Sequence, residues 1–194
     1  MAEPRKIALF GGTFDPVHRG HLHLASLAQT ALALDEVRFL PCQVSPHKAG
    51  TQPTAAADRL AMLRLATADL PWAVVDDFEI RREGESFSYE TAEAMRAAWP
   101  AARLFWIMGG DQWRVLPSWR YPERLAACVV FVVLARDGEP PQPRAGLVLH
   151  GVPGAHPASA TAIREALQQG QTSHPWLVPA VAEWIRERGL YRRG

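Results

Sequence analysis

Two histidines three residues apart, His18 and His21, follow closely on Gly11-Gly12-Thr13-Phe14-Asp15-Pro16-Val17. Imidazoles at that spacing share one face of the first turn of a helix. A helix N-terminus offers unpaired N–H groups and the positive end of its dipole, so it attracts an anion, phosphate above all. Gly11 and Gly12 read as a turn that lets the backbone approach such a ligand with no side chain in the way. Near the other end of the chain, Ser159-Ala160-Thr161-Ala162-Ile163-Arg164 places hydroxyls at a helix start and a guanidinium one turn on. That is a second anion site by the same physics. Both stretches also have a plain reading: histidines satisfied by backbone beside a glycine turn, and a capped helix with an exposed arginine. His23 adds a third imidazole, but two residues from His21 it points to another helix face. No nearby Cys or Glu completes a zinc-site spacing, so no protein-held metal is expected.

These residues need elements to position them. Ile7-Ala8-Leu9-Phe10 reads as a buried strand, and Leu24, Leu27, Ala28, Ala31 and Leu34 mark the helix after Pro16. Further strands are expected at Val37–Leu40, Trp72–Val75, Leu104–Met108, Val129–Leu134 and Leu147–Leu149. Ser45–Gly50, with His47 and Lys48, and Arg81–Ser86 read as loops. Thr54 is expected to cap a helix carrying Leu60, Leu63 and Leu65, and Ser88 one running to Trp99. Gly109-Gly110-Asp111 ends a strand, so Asp111 suits either a ribose hydroxyl or the cap of a short helix at Gln112–Val115. Ser159 or Thr161 starts a helix ending near Gly170, and a last amphipathic helix spans Pro179–Arg188. Strands apolar throughout, alternating with helices, predict an α/β fold: a Rossmann-like parallel sheet with helices on both faces. Ligands in such sheets bind beyond the carboxyl ends of the strands, where these chemistry-bearing residues fall.

At 194 residues with 48% hydrophobic content, the chain fits one globular domain over residues 1–194. A net charge of +1 gives no broad basic surface, so nucleic acid is not an expected partner. No stretch resembles a signal peptide or a membrane span, and Cys42 and Cys128 read as reduced core residues. The expected compartment is the cytoplasm, with no membrane partner. Homo-oligomerisation is left open.

The run from Gly11 to Leu22, with its HxGH at His18–His21, resembles the HxGH nucleotidyltransferases. In its full length it is similar to the bacterial nicotinate mononucleotide adenylyltransferases of NAD synthesis. The resemblance extends to Ser159–Arg164, which is similar to a S-(S/A)-T-x-x-R signature that holds triphosphate, and to the ending Gly189-Leu190-Tyr191. It implies transfer of AMP from ATP to nicotinate mononucleotide, with Mg2+ held mainly by the substrate phosphates. The implied catalytic residues are His18, His21 and Arg164. Gly11, Gly12, Thr13, Phe14, Gly109, Asp111, Ser159 and Thr161 would bind ATP, with the helical part at about residues 158–191 completing that site. Trp119, in Leu116-Pro117-Ser118-Trp119, would stack on the nicotinate ring. Trp106 and Trp113 are assigned to packing. His47 and Lys48 would hold substrate phosphate, and Arg136 would line the same cleft. Ser88-Tyr89 resembles the family's S-Y-T, which receives the ring, so Tyr89 is placed there.

The usual threonine of S-Y-T is replaced by Glu90. Facing a ring carboxylate it would repel the acid substrate and favour the carboxamide. On an exposed first helical turn it would instead suit the dipole and leave specificity alone. The alternatives are therefore an adenylyltransferase for nicotinamide mononucleotide and, in other classes, a metal hydrolase or a noncatalytic nucleotide-binding protein.

Overall fold

The computed structural model describes residues 3–44, 52–82, 84–135 and 141–192. His47, Lys48 and Arg136 therefore lie outside the described residues. Six strands form one sheet: β1 (Lys6–Gly12), β2 (Glu36–Pro41), β3 (Ala73–Val75), β4 (Arg103–Gly109), β5 (Val130–Ala135) and β6 (Leu149–Pro153). All pair in parallel, in the order β3-β2-β1-β4-β5-β6. The helices are α1 (Arg19–Leu32), α2 (Ala56–Thr67), α3 (Ser88–Ala98), α4 (Gly110–Val115), α5 (Pro122–Cys128), α6 (Ala160–Gln168) and α7 (Pro179–Arg188). Strand alternation divides the core. Ala8 and Phe10 of β1 pack with Ala25 and Ala28 of α1, Met62 and Leu63 of α2, Ile163 of α6 and Val181 of α7. Ile7 and Leu9 face the other way, against Tyr89 and Met95 of α3, Trp113 of α4 and Leu125 of α5. Both faces are covered, which is why the strands are apolar throughout.

The strand order reverses between β1 and β4. Their carboxyl ends splay into a crevice, the usual ligand position in an open α/β sheet. Gly11 and Gly12 close β1 and Gly109 closes β4, so glycine borders the crevice from both sides.

Several local expectations shift. Gly11 and Gly12 are the last paired residues of β1, opposite Leu40 and Pro41, and the turn begins only at Thr13. Thr54 does not cap α2; Ala55 stands at that position without a side-chain bond. The Thr54 backbone is engaged instead, its N–H donating to Asp15 Oδ2 at 3.2 Å. Ser88 is the first residue of α3 and Phe87 its cap position. The sixth strand starts at Leu149, because Leu147 N–H closes a turn onto Arg144 O at 3.1 Å. The short α5 lacked a sequence signal: only Leu125 and Cys128 of it are buried.

Candidate active site

His18 occupies the cap position of α1 in extended conformation, φ −145° and ψ 168°, and is buried. Its ring stacks on that of His21, with centroids 3.7 Å apart and planes 19° from parallel. The His18 backbone N–H donates to His21 Nδ1 at 3.3 Å. A neutral His21 therefore carries its proton on Nε2, which makes that atom a donor. On its other side His21 meets the edge of Phe14, at 4.9 Å between centroids. Phe14 is buried at φ 50°, a left-handed conformation that side chains other than glycine seldom adopt. Packing against Phe10, 5.6 Å away, and Phe39, 5.9 Å away, holds it there. Gly12 makes room for it, since a Cβ on Gly12 would lie 3.1 Å from the Phe14 ring.

Gly20 explains the glycine between the two histidines. A Cβ there would sit 3.0 Å from His18 Nδ1 and 3.1 Å from the Ala158 Cβ. Alanine raises helix propensity by about 1 kcal/mol, but this methyl must displace the His18 ring or the segment before α6. Gly20→Ala is therefore expected to shift the melting temperature by only about 3 °C either way while lowering turnover at least about tenfold. Thermal melts and initial rates on one preparation check both halves.

The second helix start arrives at the same loop. Ser159 caps α6 and accepts from Ala162 N–H at 3.5 Å. Arg164 donates to the Asp15 carbonyl at 2.6 Å and to Thr161 Oγ1 at 3.3 Å. The Asp15 carboxylate accepts from Tyr191 Oη at 2.5 Å as well as from Thr54 N–H. Burial and the neighbouring Asp15 charge push the Tyr191 hydroxyl well above its ordinary pKa. The loop between β1 and α1 is thus tied to α6, to the start of α2 and to the chain's C-terminal end.

A cavity of about 470 Å³ opens over the crevice. Gly11, Gly12, Thr13, Phe14 and His21 line it from the β1 side, and Gly109 and Gln112 from the β4 side. Ala160 reaches it from α6, while His18 stands behind His21. Trp106 forms part of the floor: a Cβ on Gly11 would meet its ring at 3.2 Å. Trp119, Ser118 and Arg120 line the far end together with Glu79, Ser86, Phe87 and Ser88. Ser159, Thr161 and Arg164 are not in its wall. Nor is Asp111, which sits exposed on the first turn of α4, ion-paired with Arg114; Gly109 holds the cap position. Trp113 is packed in the core, its indole N–H on Gln142 O at 2.9 Å.

Tyr89 and Glu90, expected at the ring, do not line the cavity. Helical rotation of about 100° per residue turns Tyr89 away from Ser88. Tyr89 packs edge-on against Tyr121 at 5.1 Å, with the Arg124 guanidinium over its ring. Glu90 is ion-paired with Arg82 and accepts from Tyr89 Oη at 2.9 Å. Partial burial pushes the Glu90 carboxyl up, but the bonds from Arg82 and Tyr89 prevail and hold it below its ordinary range. The stretch in the cavity wall is Ser86-Phe87-Ser88, two residues earlier, with the same order of hydroxyl, aromatic, hydroxyl. His23 lies apart from the other two imidazoles, against His156 at 5.5 Å. Burial pushes His156 below its ordinary pKa, with smaller contributions from His23 and Arg19.

Two further residues had not been singled out. Arg59 is 1% exposed, a guanidinium enclosed in the core. It donates to the carbonyls of Thr54 at 2.9 Å, Thr13 at 2.9 Å and Gln43 at 3.4 Å, joining the β1–α1 loop to both ends of the β2–α2 connection. Its signal was in the sequence: Arg59 continues the buried stripe Met62, Leu63, Ala66 at helical spacing. Glu79 is a cavity-lining carboxyl, 4% exposed. Burial pushes its pKa up to about 6, against the pull of Thr91, Arg82 and Ser86.

The chain is similar to known proteins. The Cytidylyltransferase-like family matches residues 9–166. A probable nicotinate-nucleotide adenylyltransferase of Geobacillus thermodenitrificans is 40% identical over 190 residues, covering 96% of this chain and 86% of that protein. One from Neisseria meningitidis serogroup B is 38% identical over 202 residues, covering 97% and 100%. Among solved structures, the Plasmodium falciparum nicotinic acid mononucleotide adenylyltransferase complexed with NaAD superposes with a TM-score of 0.80. It covers 96% of this chain and 97% of its own, and at 15% identity it speaks for the fold. Paired histidines at the start of α1, in a crevice bordered by glycine, together with identity that runs the length of the bacterial proteins, place this chain in the nicotinate-nucleotide adenylyltransferase family.

Proposed function

We propose that this chain transfers AMP from ATP to nicotinate mononucleotide, releasing pyrophosphate and forming nicotinate adenine dinucleotide. The observation that carries the reading is the convergence of two anion-binding helix starts, those of α1 and α6, on the loop after β1. Arg164 reaches Asp15 at 2.6 Å, and Ala158 abuts Gly20 beside the His18 ring. An oxygen of the mononucleotide 5′-phosphate attacks the α-phosphorus of ATP. The bond from that phosphorus to the bridging oxygen breaks, and its electron pair leaves with pyrophosphate. The nucleophile is already an anion, so positioning and charge neutralisation do the work. His18 and His21 serve the α-phosphoryl oxygens. Gly11, Gly12, Thr13 and Phe14 line the junction, and Ser159, Thr161 and Arg164 hold the triphosphate. Gly109 and Asp111 serve the ribose. Trp119 receives the nicotinate ring, beside Ser86–Ser88. His47, Lys48 and Arg136 stay assigned to the mononucleotide by resemblance alone. Glu90 points at Arg82, so its charge gives no preference for the carboxamide.

Among the described residues no group of three His, Cys, Asp or Glu side chains is placed to hold a metal ion. A Mg2+ accompanying the triphosphate would be held by the substrate phosphates and water, and would supply neutralisation of the leaving group. Among the described residues, no helix is long and apolar enough to cross a membrane. ATP labelled at the α-phosphorus tests the reading: the label passes to the dinucleotide. Label recovered as free AMP would mean hydrolysis and overturn it. Arg164→Ala is expected to raise the KM for ATP about tenfold and that for the mononucleotide less than about twofold, because its guanidinium binds triphosphate in ground and transition states alike. Steady-state kinetics with each substrate varied in turn checks this.

A further inference from the structure

We propose that Glu79 is the positioning residue for the acceptor-ring end of the cavity. Its buried carboxyl holds the segment Ser86–Ser88 in place, and so governs how well the mononucleotide, not ATP, is bound. The inference rests on the reading given under Proposed function.

Glu79 Oε1 accepts from Thr91 Oγ1 at 2.7 Å, and Thr91 is fully buried inside α3. The Ser86 side chain lies beside this carboxyl and favours its ionised form. Ser86 in turn accepts from Gln43 N–H at 3.0 Å through Oγ, and its own N–H donates to Val44 O at 3.0 Å. The carboxyl therefore anchors the first turn of α3 through Thr91 and faces Ser86, which is tied to the segment after β2 through Gln43 and Val44. None of these contacts is shared with His18, His21, Asp15 or Arg164. The charges that act on Glu79 are Arg82, which favours ionisation, and Asp76, which opposes it. Its hydrogen-bond partner Thr91 is a neutral hydroxyl. An acid buried on those terms is poorly compensated, and an apolar residue would pack the site at less cost in stability. A costly buried carboxyl in a cavity wall adds little to stability, and its place in the wall points to the site.

Glu79→Gln in the full chain tests this, with KM for nicotinate mononucleotide and for ATP measured separately at about pH 7.5. The amide keeps an acceptor for Thr91 but sets N–H donors against the Ser86 hydroxyl. KM for the mononucleotide is expected to rise about tenfold, with KM for ATP within about twofold. The melting temperature should be unchanged or higher, because the buried charge is gone. Thr91→Val keeps the carboxylate and the volume but removes one donor. It should raise the same KM by a smaller factor, and it decides the matter if Glu79→Gln fails to fold. Equal rises in both KM values, or neither KM moving, would overturn the proposal. So would a fall in the mononucleotide KM, since the carboxylate would then be repelling the ring. A wild-type chain inactive with this mononucleotide would overturn the underlying reading as well. An active wild type with unmoved KM values would overturn this inference alone.

Discussion

His18→Ala is expected to fold and to turn over at least about a hundredfold more slowly than the wild type. The backbone bond from residue 18 to His21 Nδ1 survives the substitution, because it is made by the main-chain N–H. What disappears is a buried ring, stacked 3.7 Å from its partner and behind the cavity wall. The structural cost is bounded by lost packing and a weaker helix start, about 1–2 kcal/mol. On the proposed mechanism His18 serves charge that develops only in the transition state, and loss of such an interaction costs more, about 3 kcal/mol or a factor of a hundred. The loss should fall on kcat, with both KM values nearly unchanged. Circular dichroism establishes the fold and initial rates give kcat. Near-wild-type turnover in a folded variant would remove His18 from the mechanism.

The largest expected effect on stability belongs to Arg59. In Arg59→Met the methionine nearly fills the volume, so the cavity term is small. Three carbonyls, of Thr13, Gln43 and Thr54, lose their donor. Leaving a buried acceptor unsatisfied costs about 1–3 kcal/mol, and for these three part-buried carbonyls the lower end applies to each. The opposing term is the desolvation of the guanidinium itself, which the variant recovers. With three acceptors stranded the loss wins, at about 3–5 kcal/mol, the range seen when one partner of a buried polar set is removed. For a chain of this size that lowers the melting temperature by roughly 10 °C. Denaturant titration with an unchanged slope locates the effect in the folded state. A loss under about 1 kcal/mol would show that guanidinium desolvation balances the three bonds.

Arg59 also shows where sequence reading stops. Its place on the Met62–Leu63–Ala66 stripe was visible, yet two of its partners are the carbonyls of Thr13 and Gln43, 46 and 16 residues away, which no local pattern announces. The parallel sheet was legible because every central strand is apolar throughout, a period that only two-sided burial explains. The histidine pair was legible because its chemistry depends on local spacing along one helix. The caps at Thr54 and Ser88 were not, because tertiary contacts outcompete local hydroxyls: Asp15 and Arg59 engage the Thr54 backbone. Tyr89 and Glu90 fall outside the cavity wall for a plain reason. Ser86-Phe87-Ser88-Tyr89 contains hydroxyl-then-aromatic twice over, and only the helix's rotation selects the first copy for the cavity.

The central claim is transfer of AMP to a pyridine mononucleotide, and pyrophosphate release tests it most directly. Purified chain is incubated with ATP and Mg2+ alone, with nicotinate mononucleotide added, and with nicotinamide mononucleotide added. Release is expected only when a mononucleotide is present, with kcat/KM for the acid at least about tenfold above that for the amide. Release from ATP alone, or no release with either mononucleotide while ATP still binds, would contradict the account.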